Sequence, residues 1–156
     1  PRFAVRIDIV ARHTEEAAWA EIEKGWAHVD RQAARSAAQG DSVGAARIAG
    51  WVPGTINDYR DLEIQPNVWA GFNLIRGGPA FGLVGSYEQV AERLDELVAL
   101  GADAFILAGN PHLEEAYRVG EEVLPLLGRH RLTSPDSPGA LSVLQHTSTI
   151  TERIPS

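Results

Sequence analysis

Two short segments of the chain combine residue types that can do chemistry with positions suited to it. Arg6 and Asp8 stand two residues apart in an alternating apolar run, so both side chains share one face of a strand. Asn110 and His112 follow a second apolar run, at a Gly-Asn-Pro break where a helix opens. Parallel barrels place their active sites at such strand-to-helix turns, because side chains at the carboxyl ends of the strands converge there. These four residues are therefore the first candidates for a pocket.

The elements that position these residues are predicted by apolar periodicity and capping signals. Residues 3–10 alternate and are rich in β-branched side chains, which predicts a strand, and Thr14 can cap a helix behind it. Ser86, followed three residues later by Gln89, predicts a capping box at the start of another helix. The strand predicted at Ala104–Ala108 follows that helix closely, which indicates a parallel crossover. The pattern predicts an α/β fold.

Turn residues and weaker patterns predict the remaining segments. These are a helix break at residues 40–42, a short helix at 43–51, a loop over 52–66, an extended segment at 68–75, a flexible Arg-Gly-Gly-Pro segment at 76–79, a left-handed C-cap at Gly101, a helix that runs through Leu126, and a loose tail over 128–156. Only the segments at residues 3–10 and 104–108 are predicted to be strong parallel strands. A third extended piece near residues 68–74 would join them.

The composition of the chain limits the classes of protein to which it can belong. The chain has 156 residues, of which 44% are apolar, enough for one domain core. Its net charge of −7 argues against a nucleic-acid partner. Cysteine is absent and the five histidines lack ligand spacing, so no metal site is predicted. No apolar run is long enough for a bilayer and no secretory signal opens the chain, so we expect a cytoplasmic protein without a membrane partner.

Four passages together resemble the alkanesulfonate monooxygenases of the bacterial luciferase-like flavin group. They are Phe-Ala-Val-Arg-Ile-Asp-Ile-Val at 3–10; Asp-Ser-Val-Gly at 41–44; Asp-Leu-Glu-Ile-Gln-Pro-Asn-Val-Trp-Ala-Gly at 61–71 with Leu-Ile-Arg-Gly-Gly at 74–78; and residues 83–127, which include Pro-His-Leu-Glu-Glu-Ala-Tyr-Arg-Val at 111–119. The likeness is collinear from residue 3 to about residue 127 and leaves out the tail.

The resemblance implies a fold and a reaction. That family is a (β/α)8 TIM barrel that uses O2 and reduced FMN, supplied by a separate NAD(P)H-dependent flavin reductase, to convert an alkanesulfonate to an aldehyde and sulfite in sulfur metabolism. Residues 1–127 would be the C-terminal part of such a barrel, with a lid insertion at about 40–82 before the last strand. The chain contains no methionine, which fits a piece of a longer protein. The rest of the barrel would be a partner, in a homo-oligomer, and the flavin-binding residues are unknown.

By the same resemblance, Arg6 and Arg76 match the family's strand and lid arginines. By the resemblance, both would hold the anionic head group of the substrate or the flavin peroxide, and a guanidinium can meet sulfonate oxygens two at a time. His112 matches a histidine near the pocket mouth and would help to bind the substrate. Among the tryptophans, we expect Trp69 to lie near the pocket.

Asp8 and Asn110 depart from the family pattern, which has His and Tyr at these positions. Both would lie in the reaction pocket, where they would orient the attacked group or move a proton. An ionised Asp8 would cancel the charge of Arg6 and repel a sulfonate. The substrate could therefore be a less anionic sulfone, amine or heteroaromatic ring.

Plainer interpretations stay open beside these. Arg6 and Asp8 suit a structural ion pair, Asn110 suits a turn before proline, and His112 suits a helix cap. A further alternative is that the chain has no catalytic role and serves only in assembly.

Overall fold

A computed structural model describes residues 2–29, 56–75 and 81–128. The strands in these ranges are β1 (Ala4–Arg12), β2 (Glu63–Gln65), β3 (Val68–Trp69), β4 (Gly82–Ser86) and β5 (Ala104–Ala108). The helices are α1 (Glu15–Trp26), α2 (Phe72–Ile75), α3 (Tyr87–Ala99) and α4 (His112–Arg118). A 3₁₀ turn (Tyr59–Leu62) precedes β2, while a π-helical turn (Val119–Val123) and a 3₁₀ turn (Leu124–Leu126) extend α4. The predicted break at 40–42, the helix at 43–51, the segment 76–79 and the tail beyond residue 128 lie outside the described residues.

The capping predictions are confirmed. The Thr14 hydroxyl accepts a hydrogen bond from the Ala17 amide at 3.2 Å and so caps α1. At the start of α3, the Ser86 hydroxyl accepts from the Gln89 amide at 3.2 Å, and the Gln89 side chain accepts from the Ser86 amide at 2.8 Å. Gly101 has a φ of 103°, the left-handed conformation that glycine adopts without strain. Short-range signals therefore fix the helix boundaries here.

One five-stranded sheet joins these elements, in the order β2-β3-β4-β1-β5. β1 pairs in parallel with both β4 and β5, whereas β3 pairs antiparallel with β4 and β2 antiparallel with β3. The predicted parallel neighbours, residues 3–10 and Ala104–Ala108, are thus confirmed as β1 and β5. Both crossovers run through a helix, as parallel pairing requires.

A separate apolar core covers each face of the sheet. Alternation along β1 sends Ile7 and Ile9 to one face, where they pack with α3 and the π-helical turn. Val10 points to the other face, towards the core built around α1 and its buried Trp19. Helices therefore lie on both sides of the sheet, α1 on one side and α3 on the other.

The sequence interpretation missed β4 and misread residues 68–75. β4 contains Gly82 and Gly85, which depress strand propensity, yet it lies between β3 and β1. A Cβ on Gly82 would come within 2.3 Å of the Asp8 carbonyl oxygen, so the close approach of the strands requires glycine there. The predicted extended segment is wrong beyond Trp69, because Phe72–Ile75 forms a helical turn.

The described residues form an α/β fold with a mixed sheet, which confirms the predicted class. In a (β/α)8 barrel, each parallel strand lies beside the next one in sequence and all helices lie outside. Here β1 lies between β4 and β5, with helices on both faces, which is the arrangement of a doubly wound sheet. A closed barrel is not seen in the part of the chain that the structure describes. Among the helices described, none combines the length and apolar character needed to cross a membrane.

Candidate functional site

The order of the parallel strands marks one crevice as a candidate site. The chain passes from β1 to β4 on one side and then back across β1 to β5 on the other. The direction of winding therefore reverses between β1 and β5, and ligands of open α/β sheets bind outside the carboxyl ends of the strands at such a reversal. The segments at this position are residues 12–14 after β1 and residues 109–112 after β5.

Three of the predicted site residues lie on or directly behind these two strands. Arg6 pairs in register with Ile106, and Asp8 pairs with Ala108, two residues before Asn110. Arg6 and Asp8 share the sheet face opposite the core of α3, since side chains alternate along β1. Arg6 and Asn110 are both exposed and so are accessible to a ligand.

Asp8 differs from its neighbour Arg6 in being buried, with 2% of its surface exposed. Strand β4 covers it, because a Cβ built on Gly82 would lie 2.7 Å from the Asp8 Cβ. Asp8 thus lies on the same face as Arg6 but is covered by protein. A ligand bound near Arg6 would not touch its carboxyl group.

His112 lies on the other side of the sheet, at a cavity of about 350 Å³ beneath α4. The strand residues that line this cavity are Ile9 and Leu107, which face away from Arg6 and Asp8. Its polar groups include the imidazole of exposed His112 and the carboxylate of Glu115. The cavity falls within the size range of small-molecule sites. The structure thus separates His112 from Arg6 instead of bringing them together.

A buried ion-pair cluster, which the sequence interpretation missed, lies next to this cavity. Glu115 is 2% exposed and binds Arg12 through two contacts, Nη2 to Oε1 at 2.8 Å and Nη1 to Oε2 at 3.1 Å. Arg118 Nη1 donates to Glu115 Oε1 at 3.1 Å. The i, i+3 spacing of Glu115 and Arg118 is visible in the sequence, but a glutamate in the first turn of a helix most simply complements the helix dipole. Nothing local signals the contact with Arg12.

This cluster carries a positive excess, since two guanidinium groups surround one carboxylate. Its field reaches Glu21 on α1. The Lys24 ammonium, hydrogen-bonded to Glu21 at 2.9 Å, lowers the pKa of Glu21 most, and the charges of Arg12 and Arg118 lower it further against the opposing effect of burial. The charges of Arg12 and Arg118 thus act on Glu21 of α1 as well as on Glu115.

Trp69 is a core residue, with none of its surface exposed. Its indole N–H donates to the Tyr59 carbonyl at 2.7 Å, and its ring packs edge-on against Phe72 with centroids 5.1 Å apart. The ring is thus enclosed by protein and has no face open to a substrate in this arrangement, contrary to the expectation of a pocket position. Arg76 lies outside the described residues, so its position is not defined.

No cluster of three or more potential metal ligands occurs within residues 2–29, 56–75 and 81–128. An FMN phosphate requires cationic or N–H donors. The cavity beneath α4 is lined by no Lys or Arg and carries the Glu115 carboxylate, so this cavity does not fit FMN. A search of the chain against protein-family models finds no match.

Proposed function

We propose that the chain is part of a two-component monooxygenase that releases sulfite and an aldehyde from an alkanesulfonate. Reduced FMN, delivered by an NAD(P)H-dependent flavin reductase, would supply the activation of O2. The support is the collinear resemblance of residues 3–127 together with one geometric observation. Asn110 is far from Arg6 and Asp8 in sequence, yet the three residues lie on or directly behind two neighbouring parallel strands. A shared pocket requires such convergence.

The side chains suggest distinct roles in binding. The exposed Arg6 guanidinium presents paired N–H donors that match two sulfonate oxygens. Asn110, exposed at the turn behind β5, would orient the group attacked through its amide. Asp8, buried beside Arg6, would set the net charge of the site. By the resemblance, Arg76 would add a second cation from the lid.

The proposal extends to a complete luciferase-like barrel formed with further strands. β5 lies at one edge of the described sheet, so its outer backbone N–H and C=O groups could pair with a further strand. A barrel would require β4 to lie beside β5 instead of on the far side of β1. A crystal structure of this chain joined to six more βα units tests this requirement. Persistence of the order β4-β1-β5 would contradict the barrel.

The activity is tested by sulfite release from short alkanesulfonates with FMN, a flavin reductase and NADH. Arg6→Gln should lower kcat/KM by about ten- to hundredfold, because it removes a charged hydrogen-bonding partner of the sulfonate. Arg93→Gln is the matched control, since Arg93 pairs with Glu96 on α3, away from this face. Equal effects of the two substitutions would contradict the role of Arg6. Flavin titration of the chain gives a second test, in which tight FMN binding would contradict a flavin site supplied by other strands.

Buried Asp8 favours a second substrate class within the same activity. An ionised Asp8 beside Arg6 would disfavour a sulfonate and suit a neutral sulfone, an amine or a heteroaromatic ring. Comparing Asp8→Asn with the parent chain separates the two classes. Sulfonate turnover should rise in the variant if Asp8 selects a neutral substrate. If the parent chain already releases sulfite efficiently, the second class is excluded.

The exposed apolar groups favour an assembly role as the second candidate function. Phe3 and Ile106 are 61% and 59% exposed; Phe3 directly precedes β1, and Ile106 lies on the edge strand β5. Apolar side chains along a sheet edge promote pairing with another chain. Sedimentation across a concentration series should then show association that Ile106→Lys abolishes. A monomer at all concentrations would contradict this role.

A further inference from the structure

The carboxylate of Glu115 joins two parts of the chain that are distant in sequence. Its partner Arg12 is the last residue of β1 and lies 103 positions away, whereas Arg118 is one helical turn further along α4. With 2% of Glu115 exposed, water cannot replace these partners. The two contacts from Arg12 use the forked geometry in which a guanidinium binds a carboxylate most strongly. Glu115 therefore ties the start of α4 to the end of β1.

Glu115 also contacts the turn between β5 and α4 directly. Its backbone N–H donates to the Pro111 carbonyl at 3.1 Å. Its Cβ lies where a side chain on Gly109 would have to go, 2.3 Å from a Cβ built there. The turn that carries Asn110 and His112 is thus held between Glu115 and the strand end.

We infer that Glu115 is a positioning residue, which fixes the turn of residues 109–112 against the carboxyl end of β1 through Arg12 and Arg118. The effect of Glu115 on catalysis rests on the proposed function, since Asn110 belongs to the proposed site. The effect of Glu115 on the turn does not depend on the proposed function, because the ion pairs hold the backbone of residues 109–112 whatever the site binds. The two consequences can therefore be tested separately.

Hydrogen exchange of the full chain, followed by mass spectrometry, tests the effect on the turn. Arg118→Gln removes one partner of Glu115 at a half-buried position, so it should leave the fold intact. We expect exchange of the amides in residues 109–116 to quicken about tenfold or more, because the turn loses a charged hydrogen bond. Exchange in β4 should be unchanged. Arg118→Lys keeps the charge and should restore most of the protection.

Arg93→Gln is the matched control for exchange. Its partner Glu96 is also three residues away, and the Arg93 side chain is 27% exposed against 33% for Arg118. A merely structural role of the ion pair would produce the same diffuse change in both variants. Equal exchange at residues 109–116 in Arg118→Gln and in the parent chain would overturn the inference. An increase in hydrogen exchange spread evenly over the whole chain would also overturn the inference.

Kinetics test the effect on catalysis. With sulfite release as the assay, Arg118→Gln and Glu115→Gln should lower kcat and leave KM for the sulfonate nearly unchanged, because Arg6 still binds the substrate. A change confined to KM would overturn the positioning role. If the chain joined to six more βα units shows no activity with any substrate class, the proposed function fails. The exchange measurement still decides whether Glu115 holds the turn.

Discussion

Substituting Gly109 with alanine tests how tightly the turn behind β5 packs against α4. A Cβ at Gly109 would lie 2.3 Å from the Glu115 Cβ and 2.7 Å from its Cγ, far inside normal contact. The Cβ of Glu115 is fixed to the helix backbone, so a change of rotamer cannot relieve this overlap. The start of α4 must move away from the strand and draw the buried carboxylate from Arg12.

The expected loss of stability combines two effects. Overpacking in a rigid site costs about 1–3 kcal/mol, and complete disruption of a buried ion pair costs about 3–5 kcal/mol. Because the carboxylate moves without being removed, we expect the free energy of unfolding of Gly109→Ala to fall by about 2–4 kcal/mol. Urea unfolding followed by tryptophan fluorescence should give a lower midpoint at an unchanged slope.

Gly120→Ala is the control for Gly109→Ala. No atom lies within 4 Å of a Cβ built at Gly120, in the π-helical turn after α4. Alanine there should leave stability unchanged or raise it by up to about 1 kcal/mol, because it favours helical backbone. The same change in both variants, or a loss below about 0.5 kcal/mol for Gly109→Ala, would refute the packing argument.

Three further substitutions probe the fold. Ser86→Ala removes the cap of α3 and should cost about 1 kcal/mol in urea unfolding; no loss would contradict the capping box. Trp69→Phe deletes an indole N–H bonded at 2.7 Å to a backbone carbonyl and should cost about 1–3 kcal/mol, with unchanged stability as the contrary result. The backbone N–H groups of Asn57 and Asp58 hold the pKa of Asp61 below its ordinary value of 3.8. Because this pKa is lowered on folding, the ionised Asp61 carboxylate stabilises the fold above pH 3.8. This stabilisation is lost as the pH falls through the pKa of Asp61 in the folded chain. The difference in free energy of unfolding between the parent chain and Asp61→Asn should therefore vanish in acid.

The helix ends and one strand could be predicted from the sequence, because the residues that determine them lie within a few positions of one another. Thr14, Ser86 and Gly101 act through contacts within a few residues, so their types alone fixed the helix ends. The bounds of Ala104–Ala108 were predicted correctly, because an apolar run ends there at a glycine. β4 was missed, because its glycines serve contacts with other strands that no local pattern reveals.

The candidate site could be predicted only in part, because the burial and pairing of its residues depend on contacts between segments that are distant in sequence. The alternation of β1 correctly put Arg6 and Asp8 on one face, but the burial of Asp8 depends on the position of β4. The pairing of Arg12 with Glu115 spans 103 positions, so no periodicity could indicate it. Trp69 was expected near a pocket and is enclosed in the core. Its core cluster includes Trp19 and Ile22 of α1, which are distant in sequence, so no local pattern could indicate this burial.

The central position of β1 affects how the chain is made. Both strands that flank β1 come late in the sequence, and the Phe3 amide meets its acceptor, the Asp103 carboxylate, only across 100 positions. During synthesis on the ribosome, β1 emerges long before either neighbour and exposes two bare edges for most of that time. Such distant pairing also slows folding after release. The strand that anchors the finished sheet is thus the segment of the nascent chain most in need of a chaperone.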